Sequence, residues 1–232
     1  LGRERATHLF RIAERAKAHL QDFAAAHGID ADYRPGQISA AHKTSYVADY
    51  KAHADIVRDR YDYPHIRFLE REELAEKLGT TRYHGGIIDS GTGHINPLKY
   101  VVGLAKAASE AGARCFENTR ATAIKSQNGK VIVTTPRGTI TAGHALLACN
   151  AYIEGLEPKM GAHVMPIRSF IGATVPLGDN SPVIPGGESV DDSRFVVRYF
   201  RKSADGRLLF GGREAYTADN PVDISSHIRR QI

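Results

Sequence analysis

Two turn signals, Asn128–Gly129 and Arg137–Gly138, constrain the fold of this chain more than any other feature of its sequence. An Asn-Gly pair between short alternating runs is the strongest local signal for a two-residue hairpin turn. The short runs beside these turns are therefore predicted to be strands that pair with their neighbours. The predicted meander comprises Cys115–Thr119, Ala123–Lys125, Lys130–Thr135, Thr139–Thr141 and Ala145–Ala148.

Helical periodicity dominates the residues before this meander. Apolar residues recur at three- and four-residue steps over residues 4–27, and Gly28 follows as a stop signal. Pro97 is suited to the first turn of a helix, because the amide that proline lacks has no partner there. Further helices are predicted at residues 44–61, 70–78 and from Pro97 to Gly112, with a last one starting near Ser225.

Strand signals lie between the helices and again in the last third of the chain. The predicted strands are residues 37–41, 66–69, 83–89, 164–175, 195–200 and 207–210. The last two form a hairpin around Ala204–Gly206, and Gly91–Asn96 is predicted to be a loop. Helices combined with mainly antiparallel strands define the α+β class, which is the fold class we predict.

The composition excludes several classes of protein. A length of 232 residues allows one large domain or two small ones, and 42% hydrophobic residues is ordinary for a globular chain. No apolar run is long enough to span a membrane, and the first residues lack the apolar region of a secretory signal. The only cysteines, Cys115 and Cys149, form no CxxC motif, which fits a reducing, cytoplasmic location.

The net charge is +5, with one local excess of basic residues around the predicted hairpin. This basic cluster consists of Arg194, Arg198, Arg201, Lys202, Arg207 and Arg213, opposed by Asp205. It suits a non-catalytic binding module with a basic surface for an acidic ligand. It suits equally a solvated hairpin edge that is protected by charge. No recognised nucleic-acid-binding motif accompanies it, so no nucleic acid partner is expected.

Self-sufficient catalytic motifs are absent from the sequence. It contains no GxSxG, HExxH, GxxxxGK[ST] or GxGxxG pattern. His84, Asp89 and His94 flank the glycine-rich Gly91–Gly93 segment, but their spacing is not typical of a metal site. We therefore expect no metal, and local hydrogen bonds are the better explanation for these polar residues.

Four segments carry motifs that are moderately specific one by one and strong in their common order. They are Gly85–Ala113 with His94 and Pro97, Glu117–Ile124, Val131–Tyr152, and Arg198–Arg201 with Asp205–Gly212. Together they resemble the superfamily of FAD-dependent amino-acid oxidases and dehydrogenases that includes glycine oxidase and sarcosine oxidase. Val164–Arg168 and Ala173–Leu177 agree best with its gamma-glutamylputrescine oxidase-like members.

The resemblance implies an architecture. In such enzymes a GxGxxG turn near the N-terminus holds the FAD pyrophosphate, and a C-terminal stretch returns to the flavin. Neither is found here, so we expect a central fragment that lacks both. Residues 1–30 and 80–150 are expected to form part of a Rossmann-like FAD-binding domain. Residues 31–79 and 151–232 are expected to form an antiparallel-sheet substrate domain.

The resemblance also implies positions that bind FAD. A backbone contact to adenine falls at Ala121, whose alternative role is that of an ordinary strand residue. Ala148, Cys149, Asn150 and Ala151 follow a strand, and their small side chains allow the backbone to approach the cofactor. Asn150 stands where relatives commonly carry glycine, but asparagine also tolerates a left-handed backbone. Cys149 is interpreted as a small buried apolar residue and not as a nucleophile.

On the substrate side, Tyr199 and Arg201 alternate onto one face of a strand, and Arg213 is expected to line the same pocket. An aromatic wall with a guanidinium suits an amine or amino-acid substrate that bears a carboxylate. A charged sheet face is the alternative. His42 and Lys43 are expected near the flavin. The implied reaction transfers a hydride from the amine-bearing carbon to the flavin, so the protein mainly orients and desolvates the substrate.

Overall fold

The computed structural model describes residues 2–216 and 223–232, and the chain divides into two compact units. The described residues of the first unit fall within Leu1–Ala111, Ser169–Arg213 and Val222–Ile232. Those of the second fall within Gly112–Arg168 and Glu214–Pro221. The assignment of residues 1–30 and 80–150 to an FAD domain, and of the rest to a substrate domain, stays a prediction.

The elements follow one another in a mixed order of helices and strands. The helices are α1 (Arg3–Ala26), α2 (Val47–Tyr61), α3 (Arg71–Leu78), α4 (Pro97–Glu110), α5 (Pro158–Gly161) and α6 (Ile224–Arg229). The strands are β1 (Arg34–Ala40), β2 (Ile66–Leu69), β3 (Gly86–His94), β4 (Ala123–Gln127), β5 (Lys130–Thr135), β6 (Gly138–Ala142), β7 (Arg168–Pro176), β8 (Ser189–Asp192), β9 (Tyr199–Lys202) and β10 (Arg207–Ala215). Short 3₁₀ turns cover Thr44–Tyr46 and Asn150–Ile153.

The helix predictions are confirmed to within a few residues, because their end signals act locally. Helix α4 begins at Pro97, and the Asn96 side chain accepts hydrogen bonds from the amides of Leu98 and Lys99, each at 3.2 Å. Helix α3 ends at Gly79, which takes the left-handed conformation that closes a helix. The hairpin around residues 204–206 is also confirmed, as the antiparallel pair β9–β10.

A seven-stranded sheet organises the first unit in the order β2-β3-β1-β8-β9-β10-β7. The pairs β2–β3, β3–β1, β8–β9 and β9–β10 are antiparallel, whereas β1 and β8 run parallel. The fold is therefore a mixture of helices and an antiparallel-rich sheet, as the α+β prediction required.

The predicted loop at Gly91–Asn96 is wrong, because β3 continues through Gly91 to His94. These glycines serve close packing. A Cβ atom at Gly93 would lie 2.3 Å from the carbonyl oxygen of Arg34, and one at Gly91 would lie 2.3 Å from the hydroxyl of Tyr63. Glycine between two packed backbones looks, in sequence, like glycine in a turn.

Other strand predictions need correction. Cys115–Thr119 and Ala145–Ala148 are not strands, because neither segment has a strand neighbour in the described part of the chain, and strands need one for their backbone hydrogen bonds. Strand β9 begins only at Tyr199 and not at Phe195, and β7 begins at Arg168 and not at Val164.

One face of the sheet carries the main core of the first unit. Side chains from β1, β2, β3, β8 and β10 meet α3 and the loop before β8 in a cluster that contains Ile38, Leu69, Leu74, Ile88, Ile184 and Val190. All of these are at most 9% exposed. On the opposite face, Ile66 and Ile87 pack with Ala54 of α2 and with Phe10 of α1. Apolar packing on that opposite face thus centres on β2 and β3.

The second unit is built on a three-stranded antiparallel sheet in the order β4-β5-β6. Asn128 and Gly129 both have positive φ angles, 51° and 72°, as the hairpin signal predicted.

None of the helices in the described ranges combines the length and the apolar character that a membrane crossing requires.

Candidate functional site

Polar side chains occupy the central part of the sheet in the first unit, on the face opposite the main core. Pleating sends alternate residues to this face, and the strand register places Ser39, Asp191, Tyr199 and Gly211 side by side across β1, β8, β9 and β10. Their polar members are only half-buried, whereas Ile38 and Val190 on the other face are 0% and 2% exposed. We call Gln37, Ser39, Asp191, Tyr199 and Arg201 the polar face.

Tyr199 lies across Gly211 on this surface. A Cβ atom on Gly211 would come within 2.2 Å of the Tyr199 ring, so only glycine leaves room for the ring at that position. The Tyr199 hydroxyl shares a hydrogen bond with the Ser169 hydroxyl of β7. The ring thus lies over Gly211 with its hydroxyl held by β7, and its role as a pocket wall stays a prediction.

Arg201 is oriented by a histidine from β3. The ring Nε2 of His94 lies 2.9 Å from the carbonyl oxygen of Gly187, which can only accept, so Nε2 carries the proton. Nδ1 then accepts from the Arg201 guanidinium at 3.5 Å. Burial lowers the pKa of His94, and the nearby Arg201 and Arg34 charges lower it further. A neutral His94 therefore steers Arg201 without neutralising its charge.

Arg213 was predicted to line the same pocket, and its side chain lies outside the part of the molecule that the structure describes. His42 and Lys43 were expected near the flavin, and that expectation stays a prediction. The Nδ1 of His42 lies 2.7 Å from the hydroxyl oxygen of Ser193. Burial lowers the pKa of His42, followed by the charge of Arg194. Lys43 is exposed.

Asp191 is a member of the polar face that the sequence did not predict. Its Oδ1 accepts a hydrogen bond from the Ser39 hydroxyl at 2.8 Å and another from the Gln37 amide. Burial raises the pKa of Asp191, although the Ser39 hydrogen bond lowers it in part. The alternation of polar Gln37 and Ser39 with buried Ile38 was a usable signal, but the partner strand lies far away in sequence.

In the second unit, a cavity of about 590 Å³ contains two of the predicted FAD contacts. Its lining consists of Arg120, Ala121, Thr122, Cys149 and Tyr152–Leu156. Among the described residues, no hydrogen bond involves the backbone of Ala121, whereas the amide of Thr122 is bonded to Thr134. Ala121 therefore keeps a free amide and carbonyl at a cavity of the size that holds small ligands.

The turn beside this cavity follows the prediction for Asn150, whose φ angle of 49° is left-handed. Cys149 lines the cavity, whereas Ala148, Asn150 and Ala151 flank it in sequence without lining it. Cys149 is a free, partly buried thiol. The structure thus brings Ala121 and Cys149 together, although the strand expected at Ala145–Ala148 is not formed.

The basic cluster is partly engaged by carboxylates of the chain itself. Arg194 pairs with the buried Asp192, and Arg207 pairs with Asp205 at 2.7 Å. This engagement favours a structural role for part of the cluster over a continuous basic surface. Within residues 2–216 and 223–232, no three histidine, cysteine or acidic side chains come together in the manner of a metal site.

Comparison with known sequences places these features in a family. The model of the family described as FAD dependent oxidoreductase matches residues 2–232. The chain is 60% identical over 232 residues to the probable oxidoreductase OrdL of Rhizobium meliloti (strain 1021), covering 100% of this chain and 54% of that protein. It is 31% identical over 199 residues to the gamma-glutamylputrescine oxidoreductase of Escherichia coli (strain K12), covering 84% of this chain and 46% of that protein.

The fold is also similar to that of solved structures. The glycine oxidase of Geobacillus kaustophilus superimposes with a TM-score of 0.74 at 20% identity, covering 95% of this chain and 60% of that one. The chain spans about half the length of the curated relatives it matches. Because the family model covers nearly every residue, this chain belongs to the FAD dependent oxidoreductase family.

Proposed function

We propose that the full-length protein oxidises a small amine that also bears a carboxylate, with gamma-glutamylputrescine as the first substrate to test. The observation that carries this proposal is the polar face, where Tyr199 offers an aromatic wall and Arg201 a guanidinium held by neutral His94. The similarity to a gamma-glutamylputrescine oxidoreductase supports it. The guanidinium suits the substrate carboxylate, because it presents paired donors in a planar fork.

The residues that line the cavity of the second unit fit FAD. The free backbone groups of Ala121 suit the edge of an adenine ring, which needs one donor and one acceptor. Cys149 and the left-handed turn at Asn150 keep side-chain bulk low beside the cavity. When bound, FAD supplies the acceptor for the hydride of the substrate.

The protein's own residues orient the substrate and exclude water. Tyr199 covers the sheet surface and bounds the space beside Arg201, and the backbone of β8, β9 and β10 fixes both side chains in register. Rigid strands hold such groups more precisely than loops do. We assign residues 31–79 and 151–232 mainly to substrate binding and residues 1–30 and 80–150 mainly to FAD binding. We place the protein in the cytoplasm, which its two free cysteines support.

Anaerobic reduction tests the proposed function. The full-length protein, purified with FAD, is expected to be yellow and to bleach when gamma-glutamylputrescine is added without oxygen. The analogue acetylated on both of its amino groups is the control, because it has no amine left that can be oxidised to an imine, and it should leave the spectrum unchanged. A full-length protein that takes up no FAD, or that stays oxidised with this and other primary amines, would contradict the proposal.

Substitution of Arg201 tests carboxylate recognition. Arg201→Met is expected to raise KM for gamma-glutamylputrescine by about 10- to 100-fold, the usual worth of a charge-assisted hydrogen bond. KM for putrescine, which has no carboxylate, should stay unchanged. Lys202→Met is the matched control, because Lys202 follows Arg201 in β9 and alternates to the other face. Equal losses for both substrates would contradict this role of Arg201.

A further inference from the structure

Two adjacent aspartates at the end of β8 have opposite surroundings. Asp192 points to the core side, where its side chain is 0% exposed and pairs with Arg194. Asp191 points to the polar face and is half-buried. None of the ion pairs among the described residues includes Asp191. Asp192 thus has a cationic partner within the protein, whereas Asp191 has none among the described residues.

The hydrogen bonds to Asp191 position it but do not neutralise it. The Ser39 hydroxyl and the Gln37 amide are neutral donors, and both reach the same oxygen, Oδ1. Within the described residues, no donor bonds to Oδ2. Two donors on one oxygen fix the rotamer and leave the second oxygen available. A partly desolvated carboxylate without a cation is costly, so the arrangement is one that a cationic ligand would stabilise.

Asp191 also lies beside the residues proposed to face the substrate. It is directly opposite Tyr199 in the β8–β9 pair, and Arg201 is the next residue of β9 on the same face. Diagonal neighbours in such a pair are about 7 to 8 Å apart, and their Cβ atoms are somewhat closer. The polar face therefore presents one negative and one positive group on neighbouring strands beside Tyr199, a pattern suited to a substrate that carries both charges.

We propose that Asp191 is a substrate-binding residue whose carboxylate binds the ammonium group of the amine, with Gln37 and Ser39 holding it in place. This inference rests on the proposed function, because it takes the polar face as the surface that meets the amine. It adds a specificity: the site selects cationic amines over neutral ones, independently of the carboxylate recognition assigned to Arg201.

Paired substrates and paired variants test this role. In the full-length protein, Asp191→Asn is expected to raise KM for gamma-glutamylputrescine and for putrescine alike by about 10- to 100-fold, because both carry an ammonium group. Asp191→Glu should restore part of the affinity. Asp205→Asn, which removes the same charge from the exposed hairpin turn, is the control and should leave both KM values unchanged. The flavin absorption spectrum checks that the variants remain folded.

A binding measurement keeps this inference separate from the proposed function. Calorimetric titration of the protein with putrescine, without oxygen, should show about 10- to 100-fold weaker binding for Asp191→Asn than for the unmodified protein. If the protein binds putrescine through Asp191 but is never reduced by an amine, the proposed function fails and the inference stands. Putrescine binding that is absent, or equal in the two proteins, overturns the inference.

Discussion

Asp192→Ala is expected to lower the free energy of unfolding by about 3 to 5 kcal/mol, the usual cost of removing one partner of a buried ion pair. The reason is that both oxygens of this buried carboxylate accept hydrogen bonds. Asp192 is 2% exposed, and its Oδ1 accepts from the backbone amides of Arg194 and Arg198, at 3.1 and 3.2 Å. Its Oδ2 accepts from the Tyr83 hydroxyl at 3.2 Å and from the Arg194 guanidinium.

Alanine at this position would leave each of those donors without its acceptor. The Arg194 side chain is only 27% exposed, so water can replace the lost partner only in part. The two amides belong to the connection between β8 and β9, which Asp192 closes by bonding to both of its ends. Burial raises the pKa of Tyr83 to about 12, and the charge of Asp192 contributes to that rise. The Tyr83 hydroxyl therefore remains a donor at neutral pH.

Urea denaturation of the full-length protein, followed by circular dichroism, measures the loss. Asp205→Ala is the matched control, since Asp205 also pairs with an arginine in this sheet but its side chain is 59% exposed. An exposed pair of this kind contributes at most about 1 kcal/mol. Equal changes for the two variants would show that the buried network around Asp192 does not hold the strand connection.

The sequence correctly predicted the features that depend on residues close together in the chain, namely helix ends and hairpin turns. The ends of α3 and α4 are set by Gly79 and by Asn96–Pro97, and the β4–β5 hairpin is set by Asn128–Gly129. Each of these signals acts within a few residues of the structure it fixes. Periodicity and end signals therefore placed helices and hairpins almost correctly without any knowledge of tertiary contacts.

What the sequence missed depends on contacts between distant segments. Ser39 and Asp191 are 152 residues apart, and only the parallel pairing of β1 and β8 brings them together. Parallel neighbours have no turn signal between them, so local patterns cannot reveal their register. The resemblance to a family led to the prediction of Tyr199 and Arg201 as site residues but not of Asp191. The same limit explains why part of β3 was predicted to be a loop. Its glycines make room for the backbone of β1 and for the Tyr63 side chain, and local sequence patterns do not reveal such contacts.

Gly79→Ala is expected to destabilise the protein by about 3 kcal/mol, of which about 1 comes from the left-handed backbone and the rest from a backbone clash. Gly79 ends α3 with a φ angle of 70°. A Cβ atom there would lie 2.4 Å from the carbonyl oxygen of Pro182 and 2.9 Å from its carbonyl carbon. The adjacent Ile184 is 0% exposed and donates its amide to Leu78, so the loop has little freedom to retreat.

Gly28→Ala separates the two contributions. Gly28 follows α1 with a φ angle of 61°, but nothing lies within 4 Å of the position its Cβ would take. This variant has the same left-handed strain without the clash, so its expected cost is only about 1 kcal/mol. Thermal and urea unfolding of both variants measure the difference. If Gly28→Ala were as damaging as Gly79→Ala, backbone strain alone would account for both losses. A larger loss at Gly79 means that the end of α3 is locked against the Pro182–Ile184 loop, which shares the core with the buried face of the sheet.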